Sequence, residues 1–236
     1  MKRSGIYILL PIFAFAVIVA AQDRPILFRE DFNTLDNWQP YTFPNIKKHS
    51  TYVIEKSGDE GLLRAESNAS ASGIVYKDSF SVTEYPHARW RWKVKNLYAK
   101  ADPRIKAGDD YPVRIYVMFE YDPAKAGFGD QVLYSLARMR FGENVPFSSL
   151  NYVWSSRGTS ERIFSSPYTD KAKMVVLRAG PKEIGTWQEE TVNILEDYRK
   201  AFGTGPPARA RIAIMNDSDN TGENSVSWVD YIEVYK

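Results

Sequence analysis

From Pro25 to the end of the chain, apolar and polar positions alternate with a period of two, which is the pattern of half-buried strands. "TYVIE" and "GLLRA" flank "KSGDE", which predicts a hairpin. "GIVYKDSFSV" and "ARWRWKV" follow. In the latter, Trp90, Trp92 and Val94 share one face, opposite Arg89, Arg91, Lys93 and Lys95. "PVRIYVMFEYD" sets Val113, Ile115, Val117 and Phe119 against Arg114, Tyr116, Met118 and Glu120. "NYVWSS", "AKMVVLR", "TWQEETVNI", "RARIAIMN" and "VSWVDYIEVY" continue the series.

Two stretches break this period. "GDQVLYSLARMRFG" spaces Val132, Leu133, Leu136 and Met139 at helical intervals, which predicts a short helix or a long crossing loop. "EDYRKAFG" reads as a helical turn stopped by Gly203 and the prolines of "TGPP". Many short strands with turn signals between them predict an all-β fold: an antiparallel β-sandwich of jelly-roll type with one or two short helices. The last strand, Ser225 to Tyr235, is expected to pair inside a sheet.

The opening segment is different. Lys2 and Arg3 precede an apolar run from Ile6 to Ala21, which ends in the small residues Val19-Ala20-Ala21. This is the layout of a signal peptide. A retained anchor is the alternative, because the run is near the lower length of a spanning helix, roughly 17 residues. Pro11 inside the run favours cleavage. Residues 1–21 are therefore read as a signal peptide and 22–236 as a single β-sandwich domain, exported to the periplasm or secreted, with no stable membrane span after cleavage.

Cleavage also changes the charge. It removes two cations and no acids, so a net charge of +2 falls to 0. A neutral chain with scattered charge lacks the basic face that phosphates require, which argues against nucleic acid as a partner. The absence of cysteine excludes disulfides, thiolate nucleophiles and zinc–sulfur sites. Stability must come from the core, and a chain of this length can bury roughly 70% of its unfolded surface.

Serine-type acyl transfer and nucleotide hydrolysis find no motif: there is no Gly-x-Ser-x-Gly, Ser-x-x-Lys, phosphate loop or His-Glu-x-x-His. His49 and His87 stand outside any recognisable constellation. What remains is carboxylate, tyrosine, arginine or hard-metal chemistry.

Three places could carry it. In "NDSDNTGENSVSW", Asp217, Asp219 and Thr221 followed by Gly222 imitate the start of a calcium loop. Trp228 stands where an EF-hand needs its twelfth-position carboxylate, so that motif is excluded. Asp217 and Asp219 remain candidate calcium ligands of another loop type; otherwise no cofactor is expected. A solvated turn and a ligand-contacting loop are the other readings of this stretch. In "KAGDDYPVRIYVMFEYD", Asp109 and Asp110 precede a strand that offers Arg114, Tyr116 and Glu120 on its polar face. Adjacent carboxylates raise one another's pKa, yet neighbours on an extended chain point opposite ways, so one of the two at most reaches a site. The plain alternative is a charged loop with a salt bridge to Arg114. Third, six Trp and fifteen Tyr supply rings that could stack on sugars, with Trp154, Tyr152 and Trp187 in polar surroundings. The rings of "RWRWKV" are expected in the core. The small polar run "AESNASASGI" suits close backbone approach, a ligand contact or a plain loop.

"AESNASASGIVYK", "RWRWKV", "KAGDDYPVRIYVMFE", "LNYVWSS", "PYTDKAKMVVLRAG", "EDYRKAFG" and "IAIMNDSDNTGE" together resemble a bacterial exported family catalogued as domain of unknown function three-thousand-and-forty-seven. The resemblance implies an exported single domain and supplies no catalytic residues. "FREDFNTLDNWQPY" and "WVDYIEVYK" are also similar to the first and last strands of lectin-like and galactose-binding-like jelly rolls. Laminarinase-type hydrolases close on a similar strand, but their Glu-x-Asp-x-x-Glu order is missing here.

The expectation is a non-catalytic binding domain for a glycan or other polar envelope ligand. Its candidate ligand-binding residues, Asp109, Asp110, Arg114, Tyr116, Glu120, Asn151, Trp154, Asn216, Asp217 and Asp219, would gather on one concave face. The alternative is a polysaccharide hydrolase or lyase that uses carboxylates on such a face.

Overall fold

A computed structural model describes residues 24–58, 60–124, 126–141 and 145–236. The expected signal segment lies outside the described residues.

Strand formation follows the alternation. The described chain forms, in order, β1 (Ile26–Glu30), β2 (Trp38–Tyr41), β3 (Thr51–Ser57), β4 (Glu60–Asn68), β5 (Ala71–Tyr76), β6 (Phe80–Ser81), β7 (His87–Val94) and β8 (Arg114–Phe119). Helix α1 (Phe128–Phe141) comes next. Then come β9 (Ser148–Ser155), β10 (Ile163–Ser166), β11 (Thr169–Ala179), β12 (Gln188–Asn193), helix α2 (Ile194–Phe202), β13 (Arg209–Asp217) and β14 (Asn224–Tyr235).

Two sheets result. The smaller runs β12-β7-β14-β4-β3, with β1 also paired to β14. The larger runs β10-β11-β9-β8-β13-β5-β2, with β6 also paired to β13. β14 is flanked by β7 on one side and by β4 and β1 on the other, so the terminal strand is interior to its sheet. Pairing is antiparallel except between β9 and β11, which run parallel. The architecture is an antiparallel β-sandwich of jelly-roll type with two helices.

The core fills the space between the sheets. β7 turns Ala88, Trp90, Trp92 and Val94 inward, each at 1% exposure or less. Facing them are Val113, Ile115, Val117 and Phe119, with Leu150, Tyr152 and Trp154 of β9. Trp90 lies 5.4 Å from Tyr152 between ring centres, and Trp92 lies 6.1 Å from Trp154. The face assignments expected for β7 and β8 therefore hold. Burying this many rings at roughly 25 cal/mol per Å² is the main stabilising term, and no disulfide is needed.

Both helices occupy the predicted stretches. Asn193 caps α2 by accepting from the Glu196 N–H at 3.0 Å, and Gly203 ends it at φ 72°. Tyr198 packs on Phe119, 4.5 Å between ring centres, which fixes α2 over one end of the core. α1 is inserted between β8 and β9. It turns Asp130, Tyr134 and Ala137 toward the protein and leaves most other positions exposed. Among the described residues, no helix is long and apolar enough to cross a membrane.

Candidate functional site

The outer face of the larger sheet carries the polar half of the alternation. Across it, Met215 lies beside Arg114, and Arg114 beside Val153. In the next row, Ala213, Tyr116, Asn151 and Met174 are neighbours. Around this floor rise α1, the 43–46 and 145–147 segments, the β10–β11 turn with Tyr168, and the loops bearing Asp109 and Asp219. Together they enclose a cleft of about 690 Å³, within the usual range for small-molecule sites, roughly 300–1,000 Å³.

At one end of the floor sits a buried ion pair. Arg114 donates through Nε to Asp217 Oδ1 at 2.9 Å and through Nη2 to Asp217 Oδ2, a two-point contact. Nη2 also donates to the Asp109 carbonyl at 2.7 Å, and Nη1 is 3.6 Å from Asp109 Oδ2. Tyr111 lies under the guanidinium, with Cζ 4.5 Å from its ring centre, and its N–H donates to Asp217 Oδ1 at 3.3 Å. Burial pushes the Asp109 carboxyl up to about 6, opposed by the charge of Arg114 and reinforced by that of Asp110. Burial raises Asp217 as well, again with Arg114 opposing.

Backbone geometry places these groups. The Asp102 N–H donates to the Gly108 carbonyl at 2.9 Å, and a Cβ at Gly108 would stand 2.5 Å from that same nitrogen. This close approach sets the direction of Asp109. On the facing loop, Gly222 adopts φ 71° and its N–H donates to the Ser218 carbonyl at 2.9 Å.

Asp110 has a different task. Its Oδ1 accepts from the Asn220 N–H at 3.3 Å and Nδ2 at 3.1 Å, and its Oδ2 accepts from the Thr221 N–H at 2.6 Å. It therefore ties the 109–110 loop to the 217–222 loop. Tyr168 donates to Asn220 Oδ1 at 2.6 Å and bridges the cleft at the same end.

Carboxylate oxygens of Asp110, Asp217 and Asp219 lie within 4.8 Å of one another, close enough to share a cation. The surroundings fit a metal poorly. Asp217 is engaged by a guanidinium, whose charge would repel a cation, and Asp110 is engaged by three N–H donors. Only Asp219 keeps a half-exposed carboxyl.

Of the ten candidate residues, Asp109, Arg114, Tyr116, Asn151, Asp217 and Asp219 line the cleft. Asp110 stands behind the wall as the loop tie. Three lie elsewhere. Trp154 is 1% exposed among the inter-sheet rings, because it shares the inward face of β9 with Tyr152 and Leu150. Glu120, beyond the far end of β8, is ion-paired with Arg211 at 3.1 Å and with Arg209 at 3.8 Å. Asn216 is 0% exposed and turned inward, one residue out of phase with Asp217. Its Nδ2 donates to the Ala65 carbonyl at 3.1 Å, its Oδ1 accepts from Ser225 at 3.0 Å, and its carbonyl accepts from Ser50 at 2.6 Å. It is a hub between the sheets. The serines of "AESNASASGI" join the same inter-sheet network through Ser67, Ser70 and Ser72.

Residue reasoning missed Tyr168, Lys171 and the α1 residues that wall the cleft. Tyr168 sits in a Pro-Tyr-Thr-Asp turn between strands, a composition that signals a turn and says nothing of the wall it reaches.

The deciding comparison is with sequence families. This chain belongs to the family described as Protein of unknown function (DUF3047), whose profile matches residues 36–233. No curated protein matches this DUF3047 chain in sequence. Among solved structures it is similar to Cellulose induced protein, Cip1, at 9% identity and a TM-score of 0.45, covering 88% of this chain and 96% of that one. It is similar to a cellulase derived from Cel12A of Rhodothermus marinus at 12% identity and a TM-score of 0.43, covering 84% and 96%. A third is the enzymatically active domain of Bacteriophage CBA120 tailspike protein 4, at 9% identity and a TM-score of 0.37; the likeness covers 85% of this chain and only 20% of that one.

Proposed function

We propose that this chain is an exported binding domain that holds a neutral, hydroxyl-rich ligand, a glycan of the cell envelope, in the cleft on its larger sheet. One observation carries the reading. Asp109 Oδ1 and Asn151 Oδ1 belong to cleft-lining residues, are buried, and have no hydrogen-bond partner. A buried acceptor left unmatched costs about 1–3 kcal/mol, and hydroxyl groups of a ligand would recover it. The charge balance supports a neutral ligand. Three cations face four carboxylates along the cleft, and Arg114 with Asp217 and Lys171 with Asp130 already pair among themselves. Rings of Tyr41, Tyr116 and Phe147 line the cleft and offer faces for the apolar sides of a sugar.

Catalysis by a lyase mechanism has little support. Burial raises the Tyr116 hydroxyl far above neutral pH, so it is no base, and Arg114 is committed to carboxylates. Hydrolysis is the second reading, favoured by Asp109: a carboxyl raised to about 6 suits a general acid. Release of reducing ends from envelope polysaccharides that disappears in Asp109→Asn would establish it.

Titration calorimetry against a glycan panel tests the binding reading. Binding by the native chain, weakened at least tenfold in Asn151→Ala with the fold intact, is the expected result. A panel without any binder removes the proposal. Export is tested separately, by mass spectrometry of the chain recovered outside the cytoplasm, with Gln22 expected at its N-terminus.

A further inference from the structure

α1 is built unlike a helix that has finished burying its apolar side. Phe128 is 82% exposed, Met139 77% and Leu133 61%, with Val132 and Leu136 also open. Half of the ten large apolar residues exposed among the described chain therefore sit on this one helix. A surface helix in water ordinarily turns such residues inward. An apolar concentration of this kind on a soluble domain marks a place that something apolar covers.

Of these five residues Leu133 lines the cleft, while Phe128, Val132, Leu136 and Met139 lie outside its lining. Ala137 of α1 also lines it, and Val145, Pro146 and Phe147 continue the same wall. α1 and the 145–147 segment are held together by Tyr134, whose hydroxyl donates to the Val145 carbonyl at 3.1 Å and whose ring packs 6.4 Å from Phe147. One salt bridge, Lys171 to Asp130 at 2.9 Å, ties α1 to β11.

The other end of the cleft has the opposite chemistry. Asp109, Arg114, Asp217, Asp219 and Asn220 gather there. Register explains the split. Arg114 opens β8 and pairs with Met215 beside Asp217, whereas Phe119 closes β8 beside Ser148, next to Phe147 and the α1 insertion. Asn151, with its unmatched oxygen, lies between the two ends.

We infer that the cleft takes an amphiphilic glycoside, with its hydroxylated head over Asp109 and Asn151 and an alkyl or acyl tail along Leu133, Ala137 and Phe147. This deepens the glycan reading and rests on it. A plain sugar would satisfy the polar end and leave the apolar wall wet. A plain hydrocarbon would cover the wall and leave two buried oxygens unmatched. A molecule with both parts satisfies both.

The test is calorimetry with matched methyl and octyl glycosides of glucose, galactose and N-acetylglucosamine, kept below the micelle concentration. For a sugar that binds, the octyl glycoside is expected to bind at least tenfold more tightly than the methyl one. Leu133→Ser, at an exposed position where folding is not at risk, is expected to shrink that ratio, and Met139→Ser, on the outer side of α1, to leave it unchanged. Equal affinity of the two glycosides overturns this inference while the glycan reading stands. A ratio that follows Met139 and ignores Leu133 also overturns it, since the tail then lies outside the cleft. If n-octanol binds as well as octyl glycosides and methyl glycosides do not bind, both readings fall. Silence across the whole panel sinks both as well.

Discussion

Arg114 and Asp217 lie 103 residues apart and meet in a buried two-point ion pair at the floor of the cleft. The contact joins β8 to the end of β13 and fixes the loops that carry Asp109 and Asp219. Two buried charges are costly to desolvate, and removing either one leaves the other stranded.

Arg114→Met and Asp217→Leu should therefore each destabilise the fold by about 3–5 kcal/mol. The double variant should cost clearly less than the sum, because neither member of the pair is left without the other, and Asp109 loses Arg114 only as it already does in Arg114→Met. Urea unfolding of the three variants and the parent makes a double-mutant cycle. An additive cycle would show that the pair is uncoupled.

Asn216 is the inward counterpart of Asp217. Replacing it by Ala removes the amide that bridges Ala65 and Ser225. The expected loss is about 2–4 kcal/mol, from several buried groups left unmatched at once. Thermal melting reads it directly, and a shift as small as that of a surface substitution would contradict the hub.

Asp109 sets a pH dependence whose sign is fixed. Its folded pKa, about 6, lies above the ordinary carboxyl value of 3.8, so the folded state holds the proton more tightly. Its contribution to stability is fully present below the unfolded value and is lost as pH rises through 6. Ligand binding should run the other way, gaining affinity above pH 6 as Oδ1 becomes a charged acceptor. Asp109→Asn should flatten both profiles relative to the parent. Unchanged profiles in that variant would assign the titration elsewhere.

Asp110 is expected to act as a tie between loops and not as a metal ligand. Asp110→Ala should speed hydrogen exchange at the amides of Asn220 and Thr221, which donate to it. Millimolar calcium should leave the melting temperature of the parent within about 1 °C, since a ligand that binds only the folded state would raise it. A rise of several degrees that vanishes in Asp219→Asn would show that the carboxylate trio takes a cation after all.

Much of the fold was legible in the alternation. "ARWRWKV" and "PVRIYVMFEYD" carry their inward and outward faces in the pattern itself, and both helices lie where the period of two breaks. Membership of the DUF3047 family was legible as well, from stretches spread along the chain. Trp154 and Asn216 show where the pattern stops. Trp154 lies in a run in which both faces carry polar or aromatic residues, so period two permits two phases. Asn216 shares the phase of Ala210, Ile212 and Ile214, so the pattern points it inward and only its polar side chain suggested a surface site. Tyr168 and Leu133 were out of reach for another reason: a turn and an insertion reach the cleft through the course of the chain in space.

The order of residues alone determined that this chain makes two packed layers of strands without disulfides, because the spacing of apolar side chains is a local property. It also settled which side chains could share a face of a given strand. That Asp109, Asn151 and Asp217 share one hollow, and that Trp154 does not, was decided by the tertiary structure. Registers between distant strands, and the desolvation of whatever lands on the inner side, depend on the whole sandwich closing at once.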